Sequence, residues 1–283
     1  MGQSLRQVVR RLRFHAGSTL RKRRPSHGVY VGDNKIVVRT VFGARMLLPA
    51  DDRSLTPDLA LDGEYDPWLG GFFRRVLRPG DHVVDVGANI GLFTMLAVRL
   101  VRPGGTVRAY EVDALNVEFL EANIGMNYAD GIVDVRPIAA WSGPARLSLH
   151  RKDFYRGDSS LTEVMDGDDC PVLAEAISST WDSSRKMRLC KIDVEGGEFQ
   201  VFQGLSELMR LGAVDYVVFE ALPGLLGENV SGLSGLLSEQ VETGAKLFVP
   251  IPKSRLGRCR QITPKQLFAG QGYSQAVLAF RPI

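Results

Sequence analysis

An α/β fold with a mostly parallel sheet wrapped by helices is what most of this sequence predicts, and three features predict it. Runs of β-branched residues alternate with helical apolar periodicity from about residue 82 to residue 251. Turn residues such as Arg78-Pro79-Gly80 and Pro103-Gly104-Gly105 separate the runs. Acidic residues stand where several strands end, which is where open sheets of this kind hold ligands.

The elements follow in order. Residues 1–25 hold eight Lys/Arg and no acid, which leaves 27 basic against 32 acidic residues in the rest. The overall charge of +3 therefore belongs to a tail, and the body is about −5. Within the tail, Leu5, Val8, Val9 and Leu12 fall at i, i+3, i+4 and i+7. That spacing suits a short amphipathic basic helix on an anionic membrane or a partner, and a solvated extension suits the same residues equally. The chain divides into this tail (1–26), a small β meander (27–60) and a large domain (61–283). In the meander, residues 28–49 alternate β-rich runs with turn residues Gly32-Asp33-Asn34 and Gly43.

The large domain begins with a helical stretch at 61–77. Strand 82–86, helix 90–101, strand 106–111, helix 114–126 and strand 132–138 come next. Residues 139–187 are less regular: a strand at 145–150, then loops, then a helix near 171–178. Alternation resumes with strand 187–193, helix 198–210, strand 215–220, a helix within 231–243, and strands 246–251 and 275–281. Apart from 145–150, seven strands result, the last two forming an antiparallel hairpin on an otherwise parallel sheet. The three cysteines show no metal or disulfide spacing, and no apolar run reaches the roughly 20 residues of a membrane span. A cytoplasmic protein is expected, with the tail allowing peripheral contact at the inner membrane surface.

The chemistry concentrates in two runs. The first is Val83-Val84-Asp85-Val86-Gly87-Ala88-Asn89-Ile90-Gly91-Leu92, a strand, a tight turn and a helix start. Its Gly87-x-x-x-Gly91 spacing lacks the middle glycine that a pyrophosphate requires, which weighs against a nicotinamide oxidoreductase. Glu111 ends the next strand, 26 residues after Asp85, placed to accept from two ribose hydroxyls. The second run is Lys191-Ile192-Asp193-Val194-Glu195-Gly196-Gly197-Glu198, and Glu220 ends the strand after it. Singly, each acid reads as a turn former or helix cap. Jointly they fit a nucleoside bearing a cationic, non-phosphate group, as S-adenosylmethionine does.

These runs, with RAYEVD at 108–113, Ala139-Ala140-Trp141, the segment 61–66 and the loop 157–161, resemble the FkbM family of S-adenosylmethionine-dependent O-methyltransferases. The resemblance covers about residues 61–222. It departs at Val112, where the family usually has proline, and across 162–186, which leaves the acceptor pocket undefined. It implies a class I methyltransferase fold. It also implies that Gly87, Ala88 and Asn89, in the turn closed by Gly91, pass close to the methionine moiety, with Asp85 near its ammonium. Glu111 would bind the ribose and Ala139 would wall the adenine. Asp193, Glu195 and Glu198 would face the reacting centre, although Glu198 reads better as a first-turn helix acid facing the dipole.

Two mechanisms stay open. Asp193 or Glu195 serves as general base with Lys191 orienting, or Asp193 and Glu220 hold a magnesium ion that acidifies the acceptor hydroxyl. Among the histidines only His150 is placed to approach an acceptor pocket. The expected partner is a hydroxyl-bearing small molecule, glycan or glycolipid. Nucleic acid is disfavoured because the body is acidic. The non-enzymatic alternative is a binding module that uses the tail at a membrane.

Overall fold

A computed structural model describes residues 28–151, 154–155, 159–163, 172–269 and 272–283. The helix expected in the tail, the Asp166–Asp169 run and part of the 157–161 loop lie outside these residues. The chain starts with β1 (Val29–Gly32), β2 (Lys35–Arg39) and β3 (Arg45–Pro49), an antiparallel sheet turned by left-handed Asp33 and Asn34.

The expected single helix at 61–77 is two helices, α1 (Thr56–Asp62) and α2 (Pro67–Val76). Gly63, in the left-handed region, caps the first by donating to the Leu59 carbonyl. Asp66-Pro67 starts the second, with the Asp66 carboxylate accepting from Leu69 N–H at 3.0 Å.

The wound core follows the expected alternation: β4 (His82–Val86), α3 (Leu92–Val101), β5 (Thr106–Tyr110), α4 (Ala114–Met126) and β6 (Val133–Arg136). Then come β7 (Ala139–Ala140), β8 (Ala145–His150), β9 (Ser160–Glu163), β10 (Val172–Glu175) and the short α5 (Ile177–Thr180). The helix expected near 171–178 is mostly β10, because its backbone pairs with β7 on one side and β8 on the other. Long-range pairing overrode a local pattern too short to decide. The chain continues through β11 (Met187–Ile192), α6 (Glu198–Arg210), β12 (Val214–Glu220), α7 (Pro223–Leu226), α8 (Asn229–Glu242), β13 (Lys246–Pro250), β14 (Cys259–Ile262), α9 (Pro264–Leu267) and β15 (Gln275–Ala279).

The large sheet runs β14-β13-β15-β12-β11-β4-β5-β6. All seven expected strands are in it, and β15 is antiparallel to both neighbours. The eighth, β14, forms a hairpin with β13 at the edge. Alternating side chains feed two cores. Leu189, Tyr216, Val218 and Val277 face α2 and α3, whereas Cys190, Ile192, Val217 and Phe219 face α6 and α8. This two-sided burial is why the strands read as continuous apolar runs.

The β1–β3 sheet joins the domain through two asparagines on α4. Asn123 exchanges hydrogen bonds with Leu47 N–H (2.6 Å) and C=O (3.1 Å), and Asn127 does the same with Arg45 (3.1 and 2.7 Å). Side chains one helical turn apart thus take the place of a neighbouring strand along β3.

Candidate active site

The cavity opens at the carboxyl ends of β5, β4, β11 and β12. At its centre is the turn from β4 into α3. Gly87 has φ 72°, and a Cβ there would lie 1.9 Å from the Asp193 carbonyl oxygen; Gly91 has φ 88° and little room against Leu120. Asn89, between them, is also left-handed at φ 51°. The Gly87 and Ala88 N–H groups donate to the Tyr110 carbonyl at 3.0 and 2.9 Å, which pins the turn to β5.

Glu111 completes this half. Its Oε2 accepts from Asn89 N–H at 2.7 Å and its Oε1 from Asp113 N–H at 2.8 Å. Burial pushes its carboxyl upward, and these two donors work against the rise. Each oxygen keeps acceptor capacity toward the cavity it lines. Ala139 and Ala140 of β7, with Ile138, Val112 and Asn116, line the same end. Asn116 is 2 % exposed and its Oδ1 has no protein partner.

Asp85 stands back from the cavity, and Lys191 on its wall bridges Asp85 to Asp193. Asp85 is 1 % exposed and lies beneath the turn rather than on the cavity wall. Its Oδ2 accepts from Thr94 Oγ1 at 2.6 Å, and its Oδ1 is 3.5 Å from Lys191 Nζ. Lys191 Nζ also sits 3.2 Å from Asp193 Oδ2 and donates to the Gly87 carbonyl at 3.1 Å. Burial alone would lower the lysine's pKa, but Asp193 and Asp85 outweigh it and hold the ammonium above its ordinary value. Lys191 is a fixed cation that ties β11 to the glycine turn, with no proton to accept.

The other half is rich in acids. Oxygens of Asp193, Glu195 and Glu220 lie within 4.8 Å of one another, which brings a third carboxylate to the pair expected from the sequence. Burial, then Asp193 and Glu195, push the Glu220 carboxyl up to about 9, and its Oε2 has no hydrogen-bond partner. Glu198 does not face this centre. It is 2 % exposed and accepts from the Val194 and Gly196 N–H groups, so it staples the turn that carries Glu195.

Two wall residues escaped the sequence reading. Gln275 stands opposite Glu220 in the β12–β15 ladder, and its Nε2 donates to Asp66 Oδ2 at 2.5 Å. Asp66, left-handed at φ 43°, is held upward in pKa by burial. The Asp66-Pro67 helix start was hidden within the single helix expected at 61–77, and a bond across 209 positions leaves no local mark. The remaining wall comes from Ser54, Leu55, Leu149, Ser159 and Leu161. Their two loops meet where Arg53 N–H donates to the Phe154 carbonyl at 2.7 Å, with the guanidinium 4.8 Å from the Phe154 ring centre. His150 is not part of the wall.

Residues 85–230 match the family model described as the methyltransferase FkbM domain. The chain is 42% identical over 193 residues to the 31-O-demethyl-FK506 methyltransferase FkbM of Streptomyces tacrolimicus, an alignment covering 56% of this chain and 73% of that protein. It is 36% identical over 62 residues to the ribosomal protein L11 methyltransferase of Bacillus cereus strain B4264, covering 22% of this chain and 19% of that one. Among solved structures, it resembles a methyltransferase FkbM from Methylobacillus flagellatus KT with a TM-score of 0.47 and 13% identity, over 79% of this chain and 52% of that chain. The model match spans the glycine turn, Glu111 and the whole β11–β12 acidic centre, and the chain belongs to the FkbM methyltransferase family.

Proposed function

We propose that the protein is an S-adenosylmethionine-dependent O-methyltransferase acting on a hydroxyl of a small molecule, glycan or glycolipid. The observation that carries this reading is Glu111, fixed by two backbone donors beside the glycine turn and facing a cavity that runs into the Asp193–Glu195–Glu220 cluster. The relative of Streptomyces tacrolimicus is named as a methyltransferase of 31-O-demethyl-FK506, which supports oxygen as the acceptor.

The cofactor fits the residues present. The orphaned Asn116 Oδ1 and the Glu111 carboxylate offer acceptors for the amino and hydroxyl groups of a nucleoside, and apolar Ile138 and Ala139 suit a base. Glu111, Ala88, Asn89, Asn116 and Ala139 would hold it, and it supplies the electrophilic methyl group when bound. Asp85, buried under the turn, accepts from Thr94 and faces the Lys191 ammonium, through which it would support the Gly87 backbone without touching the ligand.

Transfer to oxygen is an in-line displacement, so the protein's tasks are alignment and proton removal. Glu195 and Asp193 are the candidate bases, and Lys191 Nζ, 3.2 Å from Asp193 Oδ2, orients the latter. A second reading rests on the three-carboxylate cluster. Asp193, Glu195 and Glu220 are hard oxygen donors of the kind magnesium takes, and such an ion would acidify an acceptor hydroxyl.

Calorimetric titration with S-adenosylhomocysteine tests the cofactor, with binding expected in the wild type and lost in Glu111→Ala. Equal binding by both, or none by either, would overturn the reading. Mass spectrometry of hydroxylated glycans and metabolites incubated with a labelled methyl donor, with and without EDTA, identifies the acceptor and separates the two modes of proton removal.

A further inference from the structure

The proposed chemistry makes no use of the basic segment at residues 1–25, which in sequence leads directly to an unusual edge. β1 pairs only with β2, so its other side is an open strand edge among the described residues. Edges of this kind are ordinarily guarded by charge or proline. This one carries Val29, Tyr30 and Val31, exposed by 60%, 64% and 54%. Two further exposed apolar side chains lie alongside, Val41 and Leu61. Val41 N–H donates to the Gly63 carbonyl at the end of α1, and Gly28 abuts Ala60 of α1, so the start of β1, residue 41 and α1 are neighbours, with Val29 and Val31 on one face of the strand and Tyr30 on the other.

We propose that this patch attaches the protein peripherally to an anionic lipid surface, with the basic segment supplying the electrostatic half of the contact. Apolar insertion and a polybasic stretch are the two signals that together give stable membrane attachment. They lie next to each other here, the last basic residue of the stretch, Arg24, being five positions before Val29. The body is about −5, so the attraction is confined to this corner. A second copy is a poor occupant, because two chains meeting along β1 would bring two clusters of eight cations together. No helix among the described residues is long and apolar enough to cross a membrane. If the methyl-transfer reading above holds, the contact also sets the acceptor's place: Ser54 and Leu55 before α1, and Tyr65 and Asp66 after it, line the cavity, which would open beside the bilayer.

Sedimentation of the full chain with phosphatidylcholine vesicles, with and without phosphatidylglycerol, tests the attachment without any methyl acceptor. Binding is expected only to the anionic vesicles and is expected to fall at high salt. Replacing Tyr30→Ser together with Val31→Ser should weaken it about tenfold, with the unfolding temperature unchanged. Replacing Arg21, Lys22, Arg23 and Arg24, four of the eight cations, by glutamine should remove about half of the salt dependence. The proposal is overturned if the wild type ignores anionic vesicles or if the Tyr30/Val31 variant binds them as well as the wild type does. It is equally overturned if light scattering shows concentration-dependent dimers, lost in that variant, in place of lipid binding.

Discussion

Glu111 and Glu220 are both buried acids on the cavity wall, yet they differ in what they are offered. Two backbone N–H groups favour the charged form of Glu111, whereas Glu220 meets other carboxylates and has an oxygen without a partner. Glu111→Ala removes the proposed ribose acceptor and its two charge-assisted backbone bonds, so affinity for S-adenosylhomocysteine should fall about a hundredfold or more, read by calorimetry. Glu220 makes a prediction in pH. Its folded pKa is raised from 4.5 to about 9, so the fold favours the protonated form. The stability this contributes is complete below 4.5 and is lost as pH rises toward 9. Glu220→Gln should flatten the fall in unfolding temperature across that window. Added magnesium should raise the wild-type midpoint near the alkaline end, and raise it less in the variant, if the cluster holds a cation; no response in either removes the metal reading.

Among the elements, the Asn123–Asn127 ladder is the one join between the β1–β3 sheet and the domain made by side chains standing in for a strand. Asn123 is fully buried and serves Leu47 N–H, Leu47 C=O and the Ile90 carbonyl. Asn123→Ala strands these groups and should cost about 1–3 kcal/mol in urea unfolding, with Asn127→Ala milder because its bonds to Arg45 are exposed. What the sequence disclosed follows from where the determining interactions lie. Helices 114–126 and 198–210 were readable because Asp113 and the Gly196-Gly197 turn mark their starts locally. The break at Gly63, the strand at Val172–Glu175 and the added strand at Cys259–Ile262 were not, since a cap or a distant partner decides each. The site divides in the same way. The glycine turn and Glu111 sit in contiguous motifs. Asn116, with no motif of its own, and the Asp66–Gln275 bond become visible only in three dimensions.

At the scale of the whole molecule, the sheet separates ligand chemistry from structural charge. β12 carries Glu220 at its cavity end and Asp215 near its start, five residues and about 17 Å away along an extended strand. Asp215 is 4% exposed and meets Arg188 at 2.7 Å, Arg281 at 3.0 Å and Lys186 at 3.3 Å, which ties β11, β12 and the C-terminal residues together. Arg188 extends the cluster to Asp81 at 3.2 Å, just before β4. The carboxylate is buried but Lys186 and Arg281 are half-exposed, so solvent screens part of the attraction. Asp215→Ala should therefore destabilise the fold by about 1–3 kcal/mol, short of the loss expected for a fully buried pair. Its affinity for S-adenosylhomocysteine, measured well below the unfolding temperature, should match the wild type, because none of the Asp215 partners lines the cavity. Glu111→Ala should show the converse pattern, weak binding with the fold retained. A binding defect in Asp215→Ala at full folding would mean that the two ends of the sheet are coupled, and the division of labour drawn from their geometry would fail.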